Sequence, residues 1–184
     1  MIFYVAQFLG IFGMLCNVGS YQFRRRSVIL FVQSCGAIFF AVHFFMLDAV
    51  SGCLLNIIAF FRAISFALDR RVKLPAPLLN GIFIVLYLLS YAAAFLLFQK
   101  DPSPFHLVTE LLPVIAMIVS TVGFSRGSAR AVRIYSAVSS PLWLTYNVLS
   151  LSIAGACTEL FSLSSAILGF LRHDRKKGKG DSTI

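Results

Sequence analysis

The sequence predicts an all-α membrane protein of seven transmembrane helices, and three observations predict it. Of the 184 residues only 12% are charged while 59% are hydrophobic, whereas a soluble domain carries about 25% charged residues to cover its surface. Seven stretches approach the length of about 20 apolar residues that a helix needs to cross the hydrocarbon core. The basic residues gather on alternate breaks between those stretches, which is the pattern of a chain whose positive loops are held on the cytoplasmic side.

The spans run 2–22, 27–47, 49–68, 78–98, 105–124, 131–149 and 151–171. The first is read as a retained span, since no basic segment precedes it and arginines rather than an A-x-A site follow it. Arg24, Arg25 and Arg26 end it, and Asp48 marks the next turn. DRRVKLPAP, from Asp69 to Pro77, separates the third and fourth spans, and QKDPSP, from Gln99 to Pro104, the fourth and fifth. SRGSAR, from Ser125 to Arg130, follows the fifth, and Ser150 opens a short polar break after the sixth. The tail HDRKKGKGDSTI is polar and is expected to be disordered.

Sixteen Lys and Arg give a net charge of +9 and a pI of about 9.8. Arg24, Arg25 and Arg26 share one side with Arg70, Arg71 and Lys73, with Arg126, Arg130 and Arg133, and with Arg172, Arg175, Lys176, Lys177 and Lys179. Lys100 lies on the opposite side and Arg62 inside a span. That distribution places the N-terminus outside and the C-terminus in the cytoplasm. It makes the Arg24–Arg26 triplet a topological anchor rather than a nucleic-acid grip. Cys16, Cys35, Cys53 and Cys157 fall in apolar stretches with no C-x-x-C spacing and no clustered histidines, and read as buried small hydrophobes. No metal or cofactor is implied.

Sliding the chain on itself by 103 residues superposes spans one to three on spans five to seven and leaves the fourth unpaired. Gln7, Gly10, Met14, Asn17 and Tyr21 fall on Glu110, Pro113, Met117, Ser120 and Phe124, each set on one helix face by its spacing of three and four. Gly52, Asn56, Ala59 and Ala63 fall on Gly155, Glu159, Ser162 and Ala166. Gln33, Phe40 and His43 fall on Ser136, Trp143 and Tyr146. Chance among low-complexity apolar helices is the competing explanation, and three faces agreeing at one offset favour a repeat. An odd connecting helix makes the repeats parallel, about an axis along the membrane normal. The expected organisation is residues 1–73 as the first three-helix unit, 74–104 as linker helix and outer loop, 105–171 as the second unit and 172–184 as a basic tail.

This 3+1+3 arrangement resembles the SWEET sugar transporters and the wider PQ-loop superfamily. Within it, the length and the run SYQFRRRS resemble the YgjV family of bacterial inner-membrane proteins, over nearly the whole chain. PQ-loop proteins carry Pro-Gln, basic residues and Ser at the end of the first helix. Gln22, Arg24 to Arg26 and Ser27 fit, Tyr21 stands in place of the proline, and Phe124-Ser125 has replaced the second copy. The resemblance implies hinge prolines in four spans. Pro113 and Pro141 fit two of them, and Gly10 and Gly36 stand near the other two places. It also implies an asparagine on each of spans three and seven below an aromatic wall. Asn56 fits the first, Glu159 occupies the second place, and Phe40 and Trp143 fit the wall.

Glu159 and Asn56 sit well inside spans, on faces otherwise built from Gly, Ala and Ser. A carboxylate in hydrocarbon costs about 2.5–3.5 kcal/mol on insertion scales, so it faces a cavity or a partner. Glu159 is therefore a substrate contact or proton site, or else a helix-to-helix hydrogen-bonding group. The two side chains are expected to face each other across a central cavity below Phe40 and Trp143, with Asn17 on its wall. Glu110 and Gln7 lie toward the outer end, where His106 reads as a local partner of Glu110. Arg62 either snorkels to the interface or is buried, and His43 reads as a satisfied polar contact. Trp143 fits an interfacial belt as well as a pocket wall.

Neither H-E-x-x-H, nor G-x-S-x-G, nor a phosphate-cradling loop occurs, so no enzyme is expected. The leading expectation is a small-polar-solute transporter working by alternating access. Tyr21 and Gln22 would sit near a cytoplasmic gate, with Gly10, Gly36, Pro113 and Pro141 allowing bends. The alternative is a non-transporting membrane receptor or assembly factor on the same fold. The partners implied are the bilayer and a small solute, with no nucleic acid; a homo-oligomer is compatible with the sequence.

Overall fold

The computed structural model describes residues 2–68 and 75–173. Among these it holds seven α-helices and no strand: α1 Ile2–Ser20, α2 Arg26–Met46, α3 Val50–Ala67, α4 Ala76–Leu96, α5 Pro104–Ser125, α6 Ala129–Leu149 and α7 Ile153–His173. Every expected span is matched by a helix to within a few residues. The basic positions Arg70, Arg71, Lys73, Arg175, Lys176, Lys177 and Lys179 lie outside the described residues.

Helix ends follow local chemistry. Pro75 leads into α4, and Pro104 at the start of α5 sits where a missing N–H costs nothing. The Ser103 and Ser128 hydroxyls cap α5 and α6 by accepting from His106 N (3.4 Å) and Ala131 N (3.1 Å). The α2–α3 and α6–α7 turns are built alike. Asp48 (φ 56°) and Leu151 (φ 53°) are both left-handed. Ala49 N donates to Phe44 O and Ser152 N to Asn147 O, each at 2.9 Å, while Leu47 N and Ser150 N close onto His43 O and Tyr146 O.

Six of the helices are individually long and apolar enough to cross a membrane; α6 is not. This corrects the reading of 131–149 as an apolar span. Arg130, Arg133 and the serines 136, 139 and 140 lower its hydropathy, yet all of these except Arg130 are buried against other helices, where protein rather than lipid surrounds them.

The bundle is apolar outside and buries polar side chains beside an apolar core that includes Ile29, Leu30, Leu55, Phe66 and Phe83. Phe3, Tyr4, Phe8 and Leu15 of α1 and Ile82, Val85, Leu88 and Leu89 of α4 are exposed large hydrophobics. Buried hydroxyls satisfy themselves on their own helices, as Ser34 does on Phe31 O (2.6 Å) and Thr158 on Ala154 O (2.6 Å). Helix α2 packs between α1 and α3, and α6 between α5 and α7. Contacts α1–α7 and α3–α5 join the two triplets, while α2 and α6 barely touch, leaving space between them. Helix α4 packs on α3 and α5. Its Tyr87 hydroxyl shares a hydrogen bond with Thr121 Oγ1 (3.0 Å), and Asn80 Nδ2 donates to Ser125 Oγ (3.1 Å). The four cysteines are free and half-buried rather than buried.

Candidate functional site

The space between α2 and α6 is a cavity of about 110 Å³. Every helix except α4 contributes to its wall. Asn17 and Tyr21 come from α1 and the turn after it. Gln33, Phe40 and Phe44 come from α2, Asn56 and Arg62 from α3, and Met117, Ser120 and Phe124 from α5. Ser136, Ser139, Ser140, Trp143 and Asn147 come from α6, and Gly155, Glu159 and Ser162 from α7.

Asn56, Glu159, Trp143, Phe40, Asn17 and Tyr21 are thus brought together. Asn56 spends its amide N–H on Gly52 O (2.8 Å), one turn back on its own helix, which leaves its carbonyl oxygen for other partners. Glu159 has the Ser140 hydroxyl as its hydrogen-bonding neighbour. Trp143, Phe40, Phe44 and Tyr146 form the aromatic cluster at one end, with Trp143–Tyr146 centroids 5.8 Å apart and edge-on. The Tyr146 hydroxyl accepts from Gly52 N (3.1 Å), tying α6 to the start of α3.

Gln22, Gly10, Gly36, Pro113 and Pro141 are not on the wall. Gly10 is a point of close approach: a Cβ there would stand 2.6 Å from Ala154 Cβ and 3.0 Å from His43 Nδ1. Gly36 lies similarly against Gly13 O, 3.1 Å from a built Cβ. Pro113 and Pro141 lie inside α5 and α6, each removing one helical hydrogen bond.

Arg62, whose place was left open between snorkelling and burial, is buried. Its Nη1 donates to Met117 O and Thr121 Oγ1, both at 3.1 Å, and its guanidinium lies 4.3 Å from the Phe124 ring centroid. His43, fully buried, bonds Ala6 O (2.7 Å) and Ser152 Oγ (2.9 Å), so it is a satisfied polar contact. Two expectations fail at this histidine end. Glu110 is buried rather than water-reached, and its partner is Lys100, not His106. His106 Nδ1 instead meets Asp101 O at 3.0 Å. Residue 100 lies in the loop that folds back over the start of α5, so a neighbour distant by ten in sequence outcompetes one a single turn away.

The opposite, arginine end carries a hydrogen-bond network beyond the triplet's reading as a topological anchor. Arg133, placed by sequence among the loop cations, lies inside α6 and is 1% exposed; it donates through Nε to Tyr21 O (3.1 Å) and through Nη2 to Phe23 O (2.5 Å). Arg26 begins α2 and donates to Phe124 O, from Nε at 3.1 Å and Nη2 at 2.5 Å. Gln22 donates to Ser165 Oγ (2.8 Å) and accepts from Arg172 (3.1 Å). Gly169 makes this possible, since a Cβ there would stand 2.6 Å from Tyr21 O. The sequence signal for Arg133 was its helical register with Ser136 and Ser140, which puts it on the polar face of α6.

Residues 4–177 match a family model described as Imp-YgjV, bacterial inner membrane protein. The chain belongs to the YgjV family. No curated protein and no solved structure matches it. The YgjV match covers all seven described helices, six of them apolar enough to span, so this is a multi-pass integral protein of the bacterial inner membrane. Among the described residues no cluster of metal-ligating side chains occurs.

Proposed function

We propose that this protein carries a small polar solute across the inner membrane by alternating access, on a 3+1+3 parallel-repeat architecture of the PQ-loop and SWEET type. The observation that carries the reading is the polar cavity walled by α1–α3 on one side and α5–α7 on the other. Serine, asparagine and carboxylate side chains buried in a membrane bundle are costly unless they serve a pathway. The repeat is supported by the two matching turns around Asp48 and Leu151. It is supported as well by the exchange of arginines, each triplet capping the end of the other's first helix. Positive-inside counting puts the arginine end in the cytoplasm, and there Tyr21, Gln22, Arg26 and Arg133 form the gate that must part for inward release. The protein is read as a carrier, not an enzyme.

Purified protein in liposomes, screened for counterflow of sugars and small polar metabolites, tests this. Solute-specific exchange is expected, and replacing Gln22 with Leu should slow it severalfold by breaking the Ser165 and Arg172 contacts. Absence of exchange for every solute that the cavity binds would sink the carrier reading. It would favour instead a non-transporting receptor or assembly factor, a reading to which the packed aromatics Phe40, Phe44, Trp143 and Tyr146 lend some support.

A further inference from the structure

We infer that the central cavity is a site for a compact zwitterion, an amino acid of about alanine size, with Arg62 holding its acid group and Glu159 its ammonium. The inference rests on the carrier reading only in taking the cavity as the solute site.

Arg62 is 6% exposed and carries a full charge that cannot be shed. Its protein contacts are two neutral acceptors on one nitrogen, Nη1, and the Phe124 ring. Nε has no hydrogen-bond partner, and among the described residues no carboxylate stands within 4 Å of the guanidinium. A buried charge in this state is expensive until an opposite charge meets it. A guanidinium is the planar fork that matches a carboxylate, and a ligand reaching the enclosed Nε has to displace the groups that cover it.

Glu159 is the matching half-site. Among the described residues it is the one carboxylate on the wall, its hydrogen-bonding neighbour is the neutral Ser140 hydroxyl, and no cation pairs with it. Tyr21 lies within electrostatic reach of both Glu159 and Arg62, so the two charges share one cavity yet remain apart. Asn147, 2% exposed and also on the wall, has an Oδ1 with no partner that is enclosed against Gly155. Two opposite charges held apart in one low-dielectric space are complementary to a molecule that carries both. A neutral sugar would leave each of them unpaired, and a site with unpaired buried groups rejects the wrong ligand strongly. Size sets the remaining limit. A dry cavity of roughly 150 Å³ takes a benzene, so the 110 Å³ here admits a solute no larger than a small amino acid unless the bundle opens.

The experiment uses the full chain, purified in detergent for binding of radiolabelled L-alanine and reconstituted in liposomes for its counterflow. Propionate supplies the acid alone, ethylamine the amine alone and glycerol neither. L-alanine is expected to bind, and each of the three analogues to compete at least tenfold less well. Arg62→Gln and Glu159→Gln should each weaken L-alanine binding at least tenfold while eluting as monodisperse protein. If Arg62→Gln does not fold, the analogue series on the unmodified protein decides alone. No L-alanine binding, or propionate or glycerol competing as well as L-alanine, overturns the inference. Binding without counterflow upholds it and removes the carrier reading. Counterflow of glycerol without L-alanine does the reverse.

Discussion

At the arginine end, α1 closes with its Tyr21 carbonyl under Arg133 of α6, and α5 closes with its Phe124 carbonyl under Arg26 of α2. The first three helices and the last three thus cap each other by the same device. Inside the cavity they part company. The first triplet brings a cation and an amide, Arg62 and Asn56. The second brings a carboxylate and a row of hydroxyls, Glu159 with Ser136, Ser139 and Ser140. At the histidine end the neutral Gln7 accepts from Ala154 N (3.0 Å), whereas Glu110, at the corresponding place of the second triplet, needs Lys100. Backbone devices match because both halves must solve the same problem of ending a helix. Side chains at the centre diverge, and a solute with two different ends, as inferred above, is what that asymmetry would suit.

The largest effect should separate the two arginines. Arg133 is 1% exposed and Arg26 only half-buried. Arg133→Gln strands the carbonyl of the buried Tyr21 and should cost about 3 kcal/mol, against about 1 kcal/mol for Arg26→Gln. Arg133→Lys should recover little, because one ammonium cannot copy the fork. Unfolding by SDS in mixed micelles measures all three, and equal losses at the two sites would dissolve the distinction.

Next comes the ion pair. Lys100→Met leaves Glu110 buried with its Oε2 already unpartnered and should cost about 2 kcal/mol. Glu110→Gln should cost less than about 1 kcal/mol, since Gln7 shows that a neutral amide suits the corresponding place and Lys100, 38% exposed, can turn to water. The double variant should be more stable than Lys100→Met alone, and a double-mutant cycle in the same micelles checks the sign.

Of similar or slightly smaller size are two tightly packed glycines, Gly155 on the cavity wall and Gly52 behind Phe44. A Cβ at Gly155 would stand 2.3 Å from Asn147 Oδ1, and one at Gly52 would stand 2.7 Å from the Phe44 ring. Each Gly→Ala change should cost about 2 kcal/mol by overpacking. Only Gly155→Ala displaces a polar wall group, so it should depress solute binding more than Gly52→Ala in the binding assay described above. The reverse order would show that the aromatic end controls the site.

The smallest effect concerns the two left-handed turns. Leu151 pays for a conformation that suits glycine or asparagine, so Leu151→Gly should stabilise the protein by about 1 kcal/mol. Asp48→Gly, starting from a residue that tolerates the left-handed region, should gain less. A thermal melt in detergent resolves the pair.

The spans were legible in the sequence because hydrocarbon is a uniform solvent that reads helix by helix, and local hydropathy suffices where lipid is the neighbour. Helix α6 was legible as a helix but does not pass as an apolar span, since its Arg133 and serines face protein, and no local sum can know that. Asn56 and Glu159 were legible as wall residues because a polar residue on a small-residue face needs an interior, whereas Phe40 and Trp143 were placed there by the resemblance to the SWEET wall. The same logic named Arg62 and Glu110 but could not place them: whether a long cation snorkels, and which basic residue meets a carboxylate, depends on what another helix or loop brings alongside. Sequence by itself determined the seven helices, the family and the polar stripe that the cavity would need. Tertiary structure alone decided that Lys100 and not His106 neutralises Glu110, that Arg133 and Arg26 lock the two triplets together, and that Arg62 and Glu159 share a cavity without touching. Those are relations between atoms far apart along the chain, and only packing brings them within the few ångströms at which a hydrogen bond or an ion pair acts.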